Sequence, residues 1–367
     1  MAHATRGELG VLVVGAGSIG GLRAKILRRH PSVGYLAVCD IDEAKARQLA
    51  QDCNADVWST DADELVSRPE IGAVVVATTE NAHLEPSLAA IAADRPTLVE
   101  KPFTVSPEDA AKILAAAQDR RVPVFTGFTQ RFRRPFLAVK EHVAQGYVGE
   151  VTSVRASIYL TRAVARAVMS RAPETTPSIN TLTYVVDLVL WYLAPCRPLA
   201  VRAIGSRGAM HEEFGVVDAT WALVELEGGA VANLGVSWEL PEHWPAYVAS
   251  MDVDIMGRDG SMRVRDDHAE VIVGASRPIP SPYTPDVGMH VAMPGSAMPG
   301  DWAQGEYFGA MKDETYAFVD TVLTGRPHPI LPDGRQGERV LRVSRAIDAA
   351  VASGDTVPVE WPSEDLG

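Results

Sequence analysis

Residues 10–21, GVLVVGAGSIGG, decide the fold. Val11, Leu12, Val13 and Val14 form a continuous apolar run, the pattern of a strand buried on both faces. It stops at Gly15-Ala16-Gly17-Ser18-Ile19-Gly20, a G-x-G-x-x-G pattern, and a helical pattern follows over 18–30. Glycines at these places permit a tight turn and close approach of a pyrophosphate, whose charge a helix N-terminus favours. Asp40 ends the next strand, 20 residues after Gly20, where a carboxylate accepts hydrogen bonds from an adenosine ribose. Gly15, Gly17, Ser18, Ile19, Gly20 and Asp40 are therefore the candidate cofactor-binding residues, and NAD is the expected cofactor. NADP is disfavoured, because its 2′-phosphate would oppose Asp40 at roughly 4 kcal/mol per charge pair about 4 Å apart, with an effective ε near 20. The following residues, Ile41-Asp42-Glu43, supply no arginine to offset that.

The same alternation continues outward. YLAVCD (35–40), GAVVVAT (72–78), TLVEK (97–101) and VPVFTG (122–127) read as strands, with helices over 42–53, 84–93 and about 106–120. Valine-rich runs separated by helices predict βαβ units, a doubly wound parallel Rossmann sheet over residues 1–128. Residues 129–367 read differently. After a helical stretch at 132–145, VTSVRASIYL (151–160) alternates like a half-exposed strand. Hairpins are expected around Gly228-Gly229 and Asp259-Gly260, a helix over about 178–193, and closing helices at about 310–325 and 335–352. This predicts an α+β domain with a large, mainly antiparallel open sheet. Residues 276–305 hold six prolines and four glycines without a period and read as one long loop. Its Tyr283, His290 and Trp302 suit a lid or a subunit contact.

The chain has 367 residues, enough for about two domains, with 34 Lys and Arg against 47 Asp and Glu and a net charge of −13. That balance argues against nucleic acid, which needs clustered cations, and against an anionic membrane surface. Three cysteines, Cys39, Cys53 and Cys196, occur without CxxC spacing or a nearby histidine cluster, so neither a disulfide framework nor a metal site is expected. The first ten residues lack an apolar signal core, and the expected location is cytoplasmic.

Several segments together resemble the glucose-fructose oxidoreductase, inositol dehydrogenase and rhizopine-catabolism (Gfo/Idh/MocA) family. They are the glycine pattern at 15–20, ATTENAHLE (77–85), VEKPF (99–103), GFTQRF (127–132), YVVDLVLWYL (184–193) and ETYAFVDTVLTGRP (314–327). The resemblance implies that Lys101 of Glu100-Lys101-Pro102 contacts the nicotinamide and the reacting hydroxyl, that Glu100 also belongs to the cofactor-binding residues, and that the bond before Pro102 is cis. It implies that Thr78, Asn81 and His83 line the cofactor; a hydrogen bond at a helix start is an equal reading of His83. Family members usually carry Asp and, four residues on, His; here those places hold Asn180 and Tyr184. Some branches use Tyr there. A spacing of four sets both on one helical face.

Oxidising a carbinol removes a hydroxyl proton as well as a hydride, and a positioned base is worth roughly 10²–10⁴-fold. A phenol, with a pKa of about 10, is a poor base unless a neighbouring ammonium lowers it. Lys101 orients and polarises in this reading, and Tyr184 relays the proton. Asn180 does not titrate and only hydrogen-bonds. Taken alone, Tyr184 also reads as a core aromatic among Leu182, Val185 and Leu188. Arg131 is the candidate substrate-facing cation. Arg162, Arg166 and Arg171 read as a solvated face, and the aromatic segment 238–244 suits either a carbohydrate rim or a core.

The expected activity is NAD-dependent hydride transfer with a secondary alcohol or ketone of a cyclic polyol, sugar or amino-sugar derivative. An NAD-using redox-neutral glycoside hydrolase and a non-catalytic sugar or dinucleotide sensor are the rivals. A homodimer or homotetramer is expected, because an open sheet needs covering.

Overall fold

The computed structural model describes residues 7–245, 249–265, 272–280, 286–293 and 300–361. Two compact units divide the chain: Met1–Phe132 with Trp302–Glu338, and Arg133–Asp301 with Arg339–Gly367.

The first unit begins β1 (Leu9–Val14), α1 (Ser18–Arg28), β2 (Val33–Cys39), α2 (Glu43–Cys53), β3 (Val57–Ser59) and α3 (Ala62–Val66). It continues β4 (Ala73–Val76), α4 (Leu84–Ala92), β5 (Thr97–Glu100), α5 (Pro107–Arg120) and β6 (Val124–Gly127). The sheet runs β3-β2-β1-β4-β5-β6, and every neighbouring pair is parallel. Each residue of β1, β4, β5 and β6 is buried, as strands covered on both faces require. Strand order reverses between β1 and β4, which opens a crevice at their carboxyl ends. Local chemistry sets the helix starts. Asp42 accepts the Ala44 and Lys45 N–H groups, and Ser106 accepts that of Asp109 ahead of Pro107. The β3–α3 pair, with three and five residues, is too short to show a period in the sequence.

The second unit carries α6 (Arg134–Ala144), β7 (Val151–Thr161), α7 (Arg162–Arg171), one π-helical turn (Ser178–Leu182), α8 (Thr183–Leu193) and β8 (Pro198–Ser206). There follow α9 (Ala209–Phe214), β9 (Ala219–Leu226), β10 (Val231–Leu240), β11 (Ala249–Gly257), β12 (Ser261–Arg265), β13 (Val273–Pro280) and β14 (Gly288–Ala292). The chain closes with β15 (Asp301–Ala303), β16 (Glu306–Phe308), α10 (Ala310–Thr324), α11 (Gly334–Ser353) and β17 (Val357–Pro358). The large sheet runs β12-β11-β7-β10-β9-β8-β17, antiparallel throughout except between β7 and β10. Both expected hairpins are present. Along β9 burial alternates, so one face is covered and the other presents Trp221 and Leu223. Gly235 makes room for that face, because a Cβ there would collide with the Trp221 ring.

The segment 276–305 is not one loop. Among the described residues it holds the end of β13, then β14 and β15, in two separate two-stranded ribbons. Strands this short, broken by proline and glycine, leave no readable period. Tyr283 lies outside the described residues. His290 is exposed and donates from Nδ1 to the Ala275 carbonyl (3.0 Å), while Trp302 meets Tyr307 edge-on at 5.4 Å.

Residues 302–338 pack with the first unit, although the sequence pattern runs them on with the second. Phe318 of α10 meets Phe125 of β6 edge-on at 5.9 Å, and the Thr126 N–H donates to the Pro332 carbonyl at 2.9 Å. No helix among the described residues is long and apolar enough to cross a membrane.

Candidate functional site

The three glycines at the β1–α1 turn serve three different needs. Gly15 adopts φ +105°, a left-handed conformation that L side chains resist, and its N–H donates to the Cys39 carbonyl at 2.8 Å. A Cβ on Gly20 would collide with the Gly15 carbonyl, so Gly20 lets α1 sit directly against the turn. Gly17 has open space where its Cβ would be, and it begins α1 without a side-chain cap. The first turn of α1 holds no acidic residue, so its positive end is left for an anion. Asp40 closes the turn from the neighbouring strand. Its Oδ2 accepts the Ala16 N–H (2.6 Å) and its Oδ1 the Asp42 N–H (2.9 Å). A carboxylate has lone pairs beyond those two bonds, so ribose hydroxyls find acceptors here. Ser18 is exposed and Ile19 half-buried at the same end. This cradle fits a dinucleotide: space at Gly17, a helix N-terminus with no side-chain cap, and a fixed acceptor.

Sequence reading missed Ile41. It directly follows Asp40 and is 95% exposed. An isoleucine where a polar turn residue is expected was the available signal.

At the carboxyl end of β4, the Thr78 hydroxyl donates to the Ala82 carbonyl (3.0 Å), and the Thr79 hydroxyl to Asn81 Oδ1 (2.9 Å). Asn81 is exposed. His83 is buried, and its Nδ1–H donates to the carbonyls of Pro102 (2.9 Å) and Phe103 (3.3 Å). Carbonyls only accept, so the proton sits on Nδ1 and Nε2 carries the lone pair. Nε2 meets no hydrogen-bond partner among the described residues. Burial lowers the pKa of His83 and keeps the ring neutral.

Lys101, half-buried, follows the last residue of β5, and the Lys101–Pro102 bond is cis, as the resemblance implied. Glu100 points into a buried ionic cluster. Arg23 Nε donates to Glu100 Oε1 at 2.8 Å, and Arg23 Nη2 pairs with Glu314. Burial works against the Arg23 charge, yet the two carboxylates outweigh it and raise its pKa. Arg131 is buried as well, and its Nη1 donates to Gln336 Oε1 at 3.1 Å.

The second unit carries Asn180 and Tyr184. Asn180 sits in the π-helical turn, a local widening frequent at functional sites. The Trp238 indole N–H donates to the Thr181 hydroxyl (2.9 Å), which donates to Asn180 Oδ1 (3.1 Å). Asn180 and Thr181 are buried, and Trp238 is fully so, which makes Trp238 a core residue rather than part of a rim. Trp244 remains 40% exposed. Thr176 opens this segment: its hydroxyl donates to Asp348 Oδ2 (2.8 Å) and accepts the Ile179 N–H (3.2 Å). Burial pushes the Asp348 carboxyl up, against the pull of the Thr176 hydroxyl. Of residues 181–189, Tyr184 alone is not buried. The core-aromatic reading predicts the opposite. Asp187 is fully buried, and half-buried Arg166 pairs with Glu213 (2.8 Å) and with Glu242. Among the described residues, no three His, Cys, Asp or Glu side chains gather as a metal site, and the three cysteines are free.

Two family models match. Residues 9–128 match an oxidoreductase family with an NAD-binding Rossmann fold, and residues 136–263 match the GFO/IDH/MocA C-terminal domain. The inositol 2-dehydrogenase of Gluconacetobacter diazotrophicus is 26% identical over 96% of this chain and 96% of its own. The myo-inositol 2-dehydrogenase of Thermotoga maritima is 30% identical over 38% of this chain, a match spanning 41% of that protein's length. A solved structure, GenD2 from gentamicin A biosynthesis in complex with NAD, superposes with a TM-score of 0.81 at 26% identity, covering 98% of both chains.

Proposed function

The chain belongs to the GFO/IDH/MocA oxidoreductase family and is an NAD-binding oxidoreductase, and from that premise we propose that it moves a hydride between nicotinamide and a secondary alcohol or ketone of a cyclic polyol, sugar or amino-sugar. The observation that carries this reading is Lys101 at the carboxyl end of β5, one strand from the glycine turn's switch point. The relatives named as inositol dehydrogenases support a cyclic polyol as the substrate class. The net charge of −13 favours a neutral or cationic ligand over an anionic one, which includes amino-sugars.

The glycine turn takes the pyrophosphate, Asp40 the adenosine ribose, and exposed Ile41 offers an apolar face to the adenine. Asp40 sets the preference for NAD over NADP. Ser18, Ile19, Thr78, Asn81 and His83 complete the cofactor side. Bound NAD supplies the hydride acceptor. The Lys101 ammonium polarises and orients the reacting hydroxyl. Tyr184 carries the proton, as base in oxidation and as acid in reduction. Asn180, with its carbonyl oxygen taken by Thr181, contributes N–H donors to a substrate oxygen. Glu100 accepts from Arg23 Nε, and Arg131 Nη1 donates to Gln336 Oε1, both bonds within the first unit.

We further propose that the exposed sheet face bearing Ile204 (74% exposed), Trp221, Leu223 and Val231 is covered by another copy of the chain, as a homodimer or homotetramer. Light scattering in solution checks this; a monomer at micromolar concentration contradicts it.

The activity is tested by absorbance at 340 nm, with NAD and then NADP, against inositols, aldoses, amino sugars and glycosides. NADH formation with one group names the substrate class. No NADH from any of them, with NAD shown to bind, contradicts the oxidative reading.

A further inference from the structure

Arg23 is fully buried and is used by nothing in the proposed chemistry. Its guanidinium meets two further elements of the first unit, β5 and α10. Nε donates to Glu100 Oε1 at the end of β5 (2.8 Å). Nη1 donates to the Thr315 hydroxyl (2.7 Å) and Nη2 to the Glu314 carboxylate, both on α10. The Thr129 hydroxyl reaches the same Glu314 oxygen at 2.6 Å. Gly127 leaves the room this needs: a Cβ there would stand 3.0 Å from Glu100 Oε2 and 3.2 Å from Arg23 Nη2.

Such a cluster is an expensive way to gain stability. Ions withdrawn from water lose hydration that their mutual attraction barely repays, and apolar replacements often serve as well. What ions supply is direction, and here one side of the guanidinium is aimed at the residue before Lys101 while the other is fixed to α10. On the other side, the His83 Nδ1–H grips the Pro102 carbonyl at 2.9 Å. The backbone of Lys101 is thus flanked by two buried, directional restraints.

We propose that Arg23 is a positioning residue for Lys101, holding Glu100 against α10 so that the peptide carrying the Lys101 ammonium stays where hydride transfer needs it. The proposal rests on the reading of Lys101 as the catalytic lysine. Arginine suits the task because its planar fork serves Glu100, Thr315 and Glu314 at once, which the single ammonium of a lysine does not.

The test uses the full chain with Arg23→Lys and Glu314→Gln. Three quantities are read: the NAD dissociation constant, kcat and KM at 340 nm, and the acylation rate of Lys101 relative to exposed Lys112 by mass spectrometry. A small misplacement of a catalytic group costs up to about 10²-fold, so Arg23→Lys should lower kcat at least about tenfold, with NAD affinity and KM within about threefold. The Lys101 to Lys112 labelling ratio should change with it. Glu314→Gln keeps Arg23 on Glu100 and should change kcat and labelling in the same sense, by less. Wild-type kcat and labelling in Arg23→Lys overturn the proposal. So does a parallel loss of NAD affinity, KM and melting temperature, which marks a purely structural role. Should Arg23→Lys not fold, an unchanged labelling ratio in Glu314→Gln overturns it equally. Turnover retained in Lys101→Met defeats the catalytic reading instead, while the labelling ratio still reports whether Arg23 places Lys101.

Discussion

The residue before Lys101 is held by charges, Arg23 against Glu100 and Glu314, whereas Asn180 is held by neutral groups, the Trp238 indole and the Thr181 hydroxyl. Both clusters are buried, and each fixes a polar group proposed to face the reaction. They differ in how failure should look. A buried charge stripped of its partner keeps its full desolvation penalty. A buried neutral donor stripped of its acceptor loses far less.

The sharpest way to break this contrast is Arg23→Met, which leaves Glu100 and Glu314 buried and unpaired. We expect a loss of about 3–5 kcal/mol in chemical denaturation. Thr181→Val leaves the Trp238 N–H without an acceptor and should cost about 1–3 kcal/mol. Equal losses in the two variants would erase the distinction. Asp40 is the intermediate case, a carboxylate held by backbone N–H groups near the surface. Asp40→Asn should reduce the preference for NAD over NADP, in dissociation constants, by about tenfold, equivalent to roughly 1.4 kcal/mol. No change in that ratio would remove Asp40 from the cofactor site.

His83 gives the smallest expected effect, and its sign is fixed. Burial holds its folded pKa below the ordinary 6.5. The unfolded chain therefore takes up a proton that the folded chain refuses, and stability present above about pH 6.5 is lost as pH falls below it. His30 and His328 are lowered for the same reason and add to the slope. Melting temperatures of wild type and His83→Asn between pH 8 and 5 should show a shallower acid decline in the variant. Identical declines would mean that His83 is not buried as a neutral ring.

The sequence made the first unit legible because long apolar runs and a glycine pattern are local signals. Gly15, Gly20 and Asp40 stand where that pattern puts them. Sequence alone did not reveal Arg23, since a lone arginine in a helix reads as surface until α10, some 290 residues later, brings Glu314 to it. The Trp238–Thr181–Asn180 relay was hidden for the same reason, its first two members standing 57 positions apart. The return of residues 302–338 to the first unit is likewise long-range packing that no period encodes. Tyr184 was ambiguous as a letter, and its exposure in an otherwise buried stretch weighs against the core reading.

The central claim is that Lys101 serves the chemical step and not the binding of NAD. The most direct measurement is single-turnover formation of NADH at 340 nm by wild type and Lys101→Met, each saturated with NAD and with the substrate found in the panel. The account predicts NAD affinity within about threefold of wild type and a hydride-transfer rate lower by about 10²–10⁴-fold. A Lys101→Met protein that binds NAD and transfers hydride at the wild-type rate would contradict it.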